Sequence, residues 1–253
     1  MDAELLRELS VITEEEKKIL AGRKGIDPGI YTEKNDMVID CEKLLQKGKL
    51  ISVRPHTRFV HFPKHRHNYV EVIYMCQGTT THILNGNQVV LEEGDLLFLN
   101  PNAVQEILPA GESDIAVNFI VLPEFFDTAF SMMDGEENLL KDFLIGALCG
   151  KDEDTSYLYF HVAGILPVQN LIENMVWTFF YDSSNKRSCN QITMGLLLLQ
   201  LLNYMDKMEL GNRQFDTELT GNVLSYVDEH YKSGTLAELA EMMGYDVYWL
   251  SRE

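Results

Sequence analysis

Short strand-forming segments follow one another from residue 50 to residue 122, and this feature limits the fold of the chain more than any other. Each segment is rich in Val, Ile, Tyr, Phe and Thr, and turn signals separate it from the next. The clearest are residues 69–76, 79–84, 88–91, 96–99 and 115–122, with Asn85-Gly86 supplying a tight hairpin turn. Six to eight antiparallel strands with no helix between them indicate a small barrel or jelly roll.

Helical periodicity replaces the strand pattern after Pro123. Apolar residues at helical spacing predict helices at 124–133, 138–148, 169–181 and 191–208. The last contains six leucines between residues 196 and 202, so we expect this helix to be buried nearly all round. A partner subunit in a homodimer would bury it; packing within one subunit is the alternative. After a polar linker at 207–216, two further helices are predicted at 219–231 and 236–243.

The composition is that of a globular protein with an unusual excess of acidic residues. The chain of 253 residues has 21 Lys+Arg against 39 Asp+Glu, a formal charge of −18. Its four cysteines form no CxxC pair, which argues against a disulfide framework or a zinc site and for a reducing compartment. No export signal opens the sequence, and no apolar stretch reaches the roughly 20 residues that span a bilayer. We therefore expect a cytoplasmic protein without a membrane partner.

A histidine motif stands in the strand region. His65 and His67 are followed by Glu71 and, after six further residues, by Gly78. Alternate residues of a strand share a face, so both histidines can point into the barrel. Two imidazoles and a carboxylate suit a divalent metal with open coordination positions. This spacing resembles the first sequence motif of the cupins.

The segment 94–105 resembles the second cupin motif, with a Gly-Asp turn, an apolar strand and a proline. The resemblance implies a fourth metal ligand, normally histidine, at the position where this chain has Gln105. An amide is a weaker ligand for transition metals than an imidazole, which favours a barrel without a metal that binds a small molecule. Arg58 is suited to forked recognition of a carboxylate or phosphate. The residues predicted to bind this effector are His56, Arg58, His65, His67, Glu71 and Gln105.

A second motif lies near the end of the sequence. Thr235 and Glu238 have the spacing of a capping box, which opens the helix predicted at 236–243. Gly244 then permits a sharp turn, and Asp246 can cap a following helix. Helix, short turn and helix is the plan of a helix-turn-helix DNA-binding unit. The residues then available to DNA are Tyr248, Trp249, Ser251 and Arg252.

The run YVDEHYKSGTLAELAEMMGYDVYWLSRE at 226–253 closely resembles the first helix-turn-helix of the AraC family of transcription regulators. That family has a cupin-like effector domain, a helical dimerisation element and two helix-turn-helix units, in this order. The resemblance therefore implies an α+β chain in which an antiparallel cupin or jelly-roll barrel (1–123) precedes a helical dimerisation region (124–210) and a partial all-α helix-turn-helix domain (217–253). It implies a homodimeric, non-enzymatic regulator without a cofactor, whose partners are operator DNA and a small-molecule effector, anionic or sugar-like.

The charge of the C-terminal segment departs from the family pattern. Residues 216–253 contain two basic and eight acidic residues, a balance of −6, which is unfavourable next to DNA phosphates. We expect the natural chain to continue with a more basic part, and we expect these 253 residues to bind DNA weakly or not at all. Two other functions remain open: a metal-dependent cupin enzyme using His65, His67 and Glu71, and a metabolite-binding module that acts through protein partners.

Overall fold

The structure of the chain is a computed structural model that describes residues 1–33, 37–133, 139–149, 155–181, 185–212, 223, 226, 230, 234–243 and 247. Two compact units divide the chain, residues 1–211 and residues 212–253. In the described part of the chain, no helix is long and apolar enough to cross a membrane.

The first unit is an α+β structure built on two sheets, each made mainly of antiparallel pairs. Its strands are β1 (Val38–Ile39), β2 (Ile51–Pro55), β3 (Phe62–His67), β4 (Val70–Gln77), β5 (Thr79–Leu84), β6 (Asn87–Glu92), β7 (Leu96–Leu99), β8 (Gln105–Ile107), β9 (Ile115–Val121), β10 (Thr155–Phe160) and β11 (Met208–Asn212). One sheet has the order β1-β3-β8-β5-β6 and the other β11-β10-β7-β4-β9-β2. The strands β2 to β9 follow one another without a helix, as the sequence predicted.

The central strands of the six-stranded sheet are buried on both faces. In β4, Ile73 and Met75 pack into the interior between the two sheets, whereas Val72 and Tyr74 belong to the core under the helices. This division follows from the two-residue period of a strand. The hairpin between β5 and β6 turns at Asn85 and Gly86, both with positive φ, as predicted for this dipeptide.

The N-terminal segment packs its helices against the barrel. These are α1 (Ala3–Ser10), α2 (Glu14–Leu20), α3 (Pro28–Tyr31) and α4 (Cys41–Leu44). Thr13 opens α2 with a capping box, in which the Thr13 Oγ1 accepts from the amide of Glu16 and the Glu16 carboxylate accepts from the amide of Thr13. Asp40 caps α4 by accepting from the amide of Glu42.

The region after residue 122 is only partly helical, which corrects the prediction of a purely helical segment. A 3-10 turn (Pro123–Phe126) leads to α5 (Asp127–Met132), α6 (Leu139–Cys149), α7 (Leu166–Phe180) and α8 (Lys186–Leu202). Between α6 and α7, β10 returns to the barrel and pairs antiparallel with β7. A second strand, β11, occupies part of the predicted linker at 207–216; residues 213–216 lie outside the described residues.

Helix α8 is buried mainly within its own subunit. It packs against α5 and α7, and Met194, Leu197, Leu198 and Leu201 are fully buried there. Ile192 and Leu196 are exposed by 54% and 43%. Helices of the same chain therefore cover most of the circumference of α8, as the alternative interpretation expected. One narrow apolar stripe, Ile192 and Leu196, stays exposed.

The second unit contains α9 (Leu236–Met243), with the bounds that the sequence predicted. The capping box of α9 is present, since Thr235 Oγ1 accepts from the amide of Glu238 and the Glu238 carboxylate accepts from the amide of Thr235. Leu239 and Ala240 pack with Tyr226 in a small core. Most of the helix predicted at 219–231 lies outside the described residues.

Candidate functional site

The histidine motif lies on β3, and both of its histidines face the barrel interior. Along β3 buried and exposed residues alternate from His65 to His67, so that Arg66 points outward. His56 follows β2, Glu71 stands on β4, and Gln105 is paired with His65 across β3 and β8. The structure thus brings five of the six predicted effector residues into one interior, all of them at most 4% exposed: His56, His65, His67, Glu71 and Gln105.

One hydrogen-bond network in this interior is centred on Gln105. Nε2 of His65 lies 3.1 Å from Oε1 of Gln105, and Nε2 of Gln105 lies 2.9 Å from Nδ1 of His82. Nε2 of His82 in turn lies 3.0 Å from Oγ1 of Thr80. At the other end, Nδ1 of His65 donates to the carbonyl of Pro63 at 2.7 Å.

A second hydrogen-bond network is centred on Asn118 of β9. Nδ1 of His56 donates to Oδ1 of Asn118 at 3.0 Å, and Nδ2 of Asn118 donates to Oε1 of Glu71 at 2.8 Å. Nε2 of His67 lies 3.4 Å from Oε2 of Glu71 without forming a hydrogen bond. The amide of Asn118 therefore fixes both an imidazole and a carboxylate inside the barrel.

Burial controls the ionisation of these groups. It lowers the pKa of His65 to about 4 and that of His67 to about 3, and it also lowers the pKa values of His56 and His82. Burial raises the pKa of Glu71, and the hydrogen bond from Asn118 only partly opposes this. The interior is therefore lined by neutral imidazoles at pH 7.

A cavity of about 30 Å³, with space for one or two water molecules, lies beside the hydrogen-bond network of His56, Asn118 and Glu71. Three buried atoms of its lining residues have no hydrogen-bonding partner in the described part of the chain: Nε2 of His56, Nδ1 of His67 and Oε2 of Glu71. Buried polar atoms are almost always paired in folded proteins. The three atoms are therefore available to a polar ligand.

Arg58, the sixth predicted effector residue, is not brought to this cavity. It is 2% exposed, and its guanidinium makes two hydrogen bonds to the carboxylate of Glu16, at 2.7 and 3.0 Å. It also donates to the carbonyls of Ser10 and Glu112. Burial opposes ionisation of Glu16, but hydrogen bonds from Arg58 and Thr13 outweigh it and lower the pKa of the carboxyl. The forked contact of Arg58 is thus made to a carboxylate of the chain itself, where it holds α2 to the barrel, and not to the cavity as predicted.

The arrangement does not fit a metal ion. Both ring nitrogens of His65 are engaged, one by Pro63 and one by Gln105. Among the described residues, no group of three His, Cys, Asp or Glu side chains could hold a metal. No chemical step through a metal at His65, His67 and Glu71 is therefore derived from this geometry.

Sequence reasoning missed two members of the interior, His82 and Asn118. Each carried a signal in its strand. His82 occupies an inward position of β5, between the buried Thr80 and Leu84. Asn118 is the one polar residue in the apolar run of β9. A polar side chain at a core position of a strand has to find a hydrogen-bonding partner, which makes it a candidate for the site.

The residues predicted to contact DNA, Tyr248, Trp249, Ser251 and Arg252, lie outside the described residues. What the structure describes of this region is α9 and its capping box, which belong to the first helix of the predicted motif.

Comparison with known families identifies the barrel. Residues 50–127 match the family model described as the AraC-like ligand binding domain. This segment is an AraC-like ligand binding domain. It contains all six predicted effector residues, and its end lies close to the residue at which the strand pattern of the sequence stops. No curated protein matches the sequence.

Among solved structures, the AraC-like domain and its helices are similar to ToxT from Vibrio cholerae. Apo ToxT shares 10% sequence identity over 82% of this chain and 75% of that chain, with a TM-score of 0.48. ToxT with a bound unsaturated fatty acid shares 10% identity over 80% and 71%, with a TM-score of 0.44. A salicylate 1,2-dioxygenase from Pseudaminobacter salicylatoxidans shares 16% identity over 28% of this chain and 21% of that chain, with a TM-score of 0.25.

Proposed function

We propose that this chain is the effector-binding part, with the first portion of the DNA-binding part, of a sequence-specific transcription regulator. One observation carries the effector-binding half of the proposal: the interior of the AraC-like domain holds a cavity with three unpartnered polar atoms. The DNA-binding half is supported by the helix-turn-helix resemblance at 226–253 and by α9 with its capping box. The division into regions 1–123, 124–210 and 217–253 remains part of the proposal, and the first two share one compact unit.

The effector that suits the interior is rich in hydrogen-bond donors. Because Nδ1 of His56 donates to Asn118, its Nε2 can only accept, and Oε2 of an ionised Glu71 also accepts. Arg58 is paired with Glu16, and Arg54, which lines the cavity, is engaged by Tyr31 and Glu15, so neither cation is unpaired there. Of the two effector classes expected from the sequence, the hydroxyl-rich, sugar-like class therefore fits the interior better than the anionic class. A molecule of that size has to enlarge the cavity of about 30 Å³.

Thermal unfolding with a panel of pentoses and hexoses tests the effector site. We expect one or more sugars to raise the Tm of the wild-type chain and to lose this effect in Glu71→Gln, which replaces an acceptor by an amide of the same shape. Glu106→Gln, on β8 of the other sheet and paired with the exposed His61, is the matched control and should respond like wild type. A panel that leaves the Tm unchanged, or sugars that act equally on Glu71→Gln, would contradict the site.

Selection from random duplex DNA tests the regulator. We expect the full-length gene product to select one sequence motif, with an affinity that falls as salt is raised. A full-length product that binds an interior effector but selects no motif would leave a metabolite-binding module that acts through protein partners.

Metal analysis separates the regulator from the cupin enzyme. Near-stoichiometric iron, manganese or zinc that is lost in His65→Ala would favour the enzyme. The engagement of both ring nitrogens of His65 leads us to expect no such metal in the purified wild-type chain.

A further inference from the structure

A second and larger pocket lies outside the barrel, where the edge strand β2 faces the end of α7 and the first turn of α8. Its volume is about 700 Å³, against about 30 Å³ for the interior cavity. Pockets that bind organic ligands typically have volumes of about 300–1,000 Å³. The outer pocket can therefore take an organic molecule in the conformation that the structure shows.

The charge of this pocket is opposite to that of the chain. Four cationic side chains line it and, among the described residues, no Asp or Glu does, although the chain has 39 acidic and 21 basic residues. In the described part of the chain, none of the four has a carboxylate within 4.0 Å. A cleft lined by one sign of charge concentrates counter-ions of the other sign. The four cations are Lys47, Lys49, Lys186 and Arg187.

The remaining lining is mixed: six residues are apolar (Leu44, Leu50, Ile51, Val53, Phe125 and Phe179) and three are polar (Gln46, Ser52 and Asn190). Phe125 is 1% exposed and Ile51 9% exposed, whereas Lys47, Lys49 and Arg187 are exposed. The pocket thus has a buried apolar wall and a cationic rim.

Phe179 connects the two parts of the pocket. Nζ of Lys186 lies 4.9 Å from the centre of the Phe179 ring, a cation–π contact that holds this cation against the wall. An amphiphilic molecule meets both kinds of surface in such a pocket.

The first turn of α8 adds to the positive potential of the rim. Its N-cap residue, Asn185, makes no capping hydrogen bond with its side chain. Amide groups at the start of a helix carry partial positive charge, which favours a nearby anion. The 17-residue α8 thus directs its positive end toward the same pocket that the cations line.

We propose that the outer pocket binds a small amphiphilic anion, a carboxylate, sulfonate or phosphate on an apolar body. The apolar body lies against Phe125 and Phe179, and the acid group is held by Lys49, Lys186 and Arg187. This site is separate from the hydroxyl-accepting interior and needs neither the interior ligand nor DNA binding. A ligand in the outer pocket contacts β2, which belongs to the barrel, and α8, which carries the exposed apolar stripe. It therefore touches both the barrel and the helices of the first unit.

Isothermal titration of the whole chain with decanoate and with naphthalene-1-sulfonate, a flexible and a rigid probe, tests the proposal. We expect saturable one-site binding of at least one probe, weakened by raised salt. Lys49→Glu and Lys186→Glu should each weaken binding about tenfold, because each removes a charge-assisted contact. Lys64→Glu, an exposed lysine on the outward face of β3, is the matched control and should bind like wild type.

Three results would overturn the proposal. Wild-type protein that binds neither probe saturably has no such site. Equal affinity of the double variant Lys49→Glu/Lys186→Glu and the wild type, with the Tm of both preserved, places any binding elsewhere. Binding of decan-1-ol as tightly as decanoate shows an apolar pocket without a role for the cations. A sugar response of the interior is measured separately, so failure of one site leaves the other standing.

Discussion

Oε1 of Gln105 lies 3.1 Å from Nε2 of His65 in the barrel interior. The carbonyl of Pro63, 2.7 Å from Nδ1 of the same ring, can only accept a hydrogen bond. With an oxygen at both ends, the ring would need two N–H groups and hence a positive charge. Burial lowers the pKa of His65 to about 4, so the ring is neutral at pH 7 and has one N–H. A neutral ring therefore requires the Gln105 amide turned by 180°, with its NH₂ toward His65.

We expect His65 to be neutral at pH 7, with its proton on Nδ1. In that state the turned Gln105 amide donates to Nε2 of His65 and accepts from His82, whose Nε2 then accepts from Thr80. The ¹⁵N chemical shifts of the imidazole nitrogens report the tautomer directly. A proton on Nε2, or a charged ring at pH 7, would show that Gln105 keeps its oxygen toward His65.

The buried histidines predict a loss of stability in mild acid. The pKa values of His65 and His67 are lowered to about 4 and about 3, so between pH 6.5 and pH 4 the unfolded chain binds protons that the folded chain does not. The free energy of unfolding should fall by about 1.4 kcal/mol per pH unit for each such histidine as the pH decreases through this window. Glu71 has the opposite effect on stability. Because its pKa is raised in the folded protein, below that pKa the folded chain binds a proton more strongly than the unfolded chain does.

Urea unfolding at pH 6.8 and pH 5.0 measures this effect. The variant His67→Phe should show a smaller difference between the two pH values than wild type. Equal pH dependence in the two proteins would assign the acid effect to other groups.

Loss of the Glu16 carboxylate should destabilise the first unit. Glu16→Gln leaves the guanidinium of Arg58 buried and incompletely paired, because both of its contacts to the carboxylate are charge-assisted. We expect the free energy of unfolding to fall by about 3 kcal/mol. The exposed pair of Glu14 and Lys17 on the same helix provides the control, since exposed ion pairs contribute little and Glu14→Gln should cost far less than Glu16→Gln. Similar losses in the two variants would contradict the structural role of Glu16.

Gly78, the glycine of the histidine motif, is required by the turn between β4 and β5. Its φ is +76°, and an added Cβ would lie 2.3 Å from Oδ1 of Asp114 and 3.0 Å from the carbonyl of Ser113. Gly78→Ala should lower the free energy of unfolding by about 2–4 kcal/mol, the sum of backbone strain and steric contact. Gly25→Ala has a similar φ of +80° with open space around it and isolates the backbone strain. Equal costs in the two variants would show that the contact with Asp114 relaxes freely.

The open stripe of α8 predicts self-association. Ile192 and Leu196 are four residues apart on one face and remain exposed after α8 has packed against α5 and α7. If this face forms a homodimer, Leu196→Glu should shift the chain to monomers in analytical ultracentrifugation. Gln88→Glu, at an exposed position of β6 in the other sheet, is the control for the added charge. A wild-type chain that is monomeric at micromolar concentration would contradict the dimer.

The sequence predicted the barrel well because its strand signals are local. Asn85 and Gly86 determine a hairpin by their own backbone preferences, and the alternation from His65 to His67 needs only a strand. The strand β10 was missed although Thr155–Phe160 is rich in residues that favour strands. It stands alone between two helices, and its partner β7, which it pairs at four successive positions, is about 60 residues earlier in the chain.

The sequence predicted most of the residues that lie together in the candidate site, but not which of them are joined by hydrogen bonds. His56, His65, His67, Glu71 and Gln105 were grouped correctly because they surround one motif. The partner of Arg58 could not be read from the chain, since Glu16 is 42 residues earlier and is brought to it by the packing of α2. The outer pocket combines residues of a loop, of β2 and of two helices, and no spacing in the sequence connects them.

The return of β10 to β7 also affects how the protein is made. The strand β10 is translated after α5 and α6, and the six-stranded sheet is complete only once β11 has also been made. Until residue 160 has left the ribosome, one edge of β7, four apolar residues long, has no partner strand. An unpaired apolar edge invites pairing with another chain. Synthesis of this protein thus passes through an interval in which the barrel is nearly formed and most prone to aggregate.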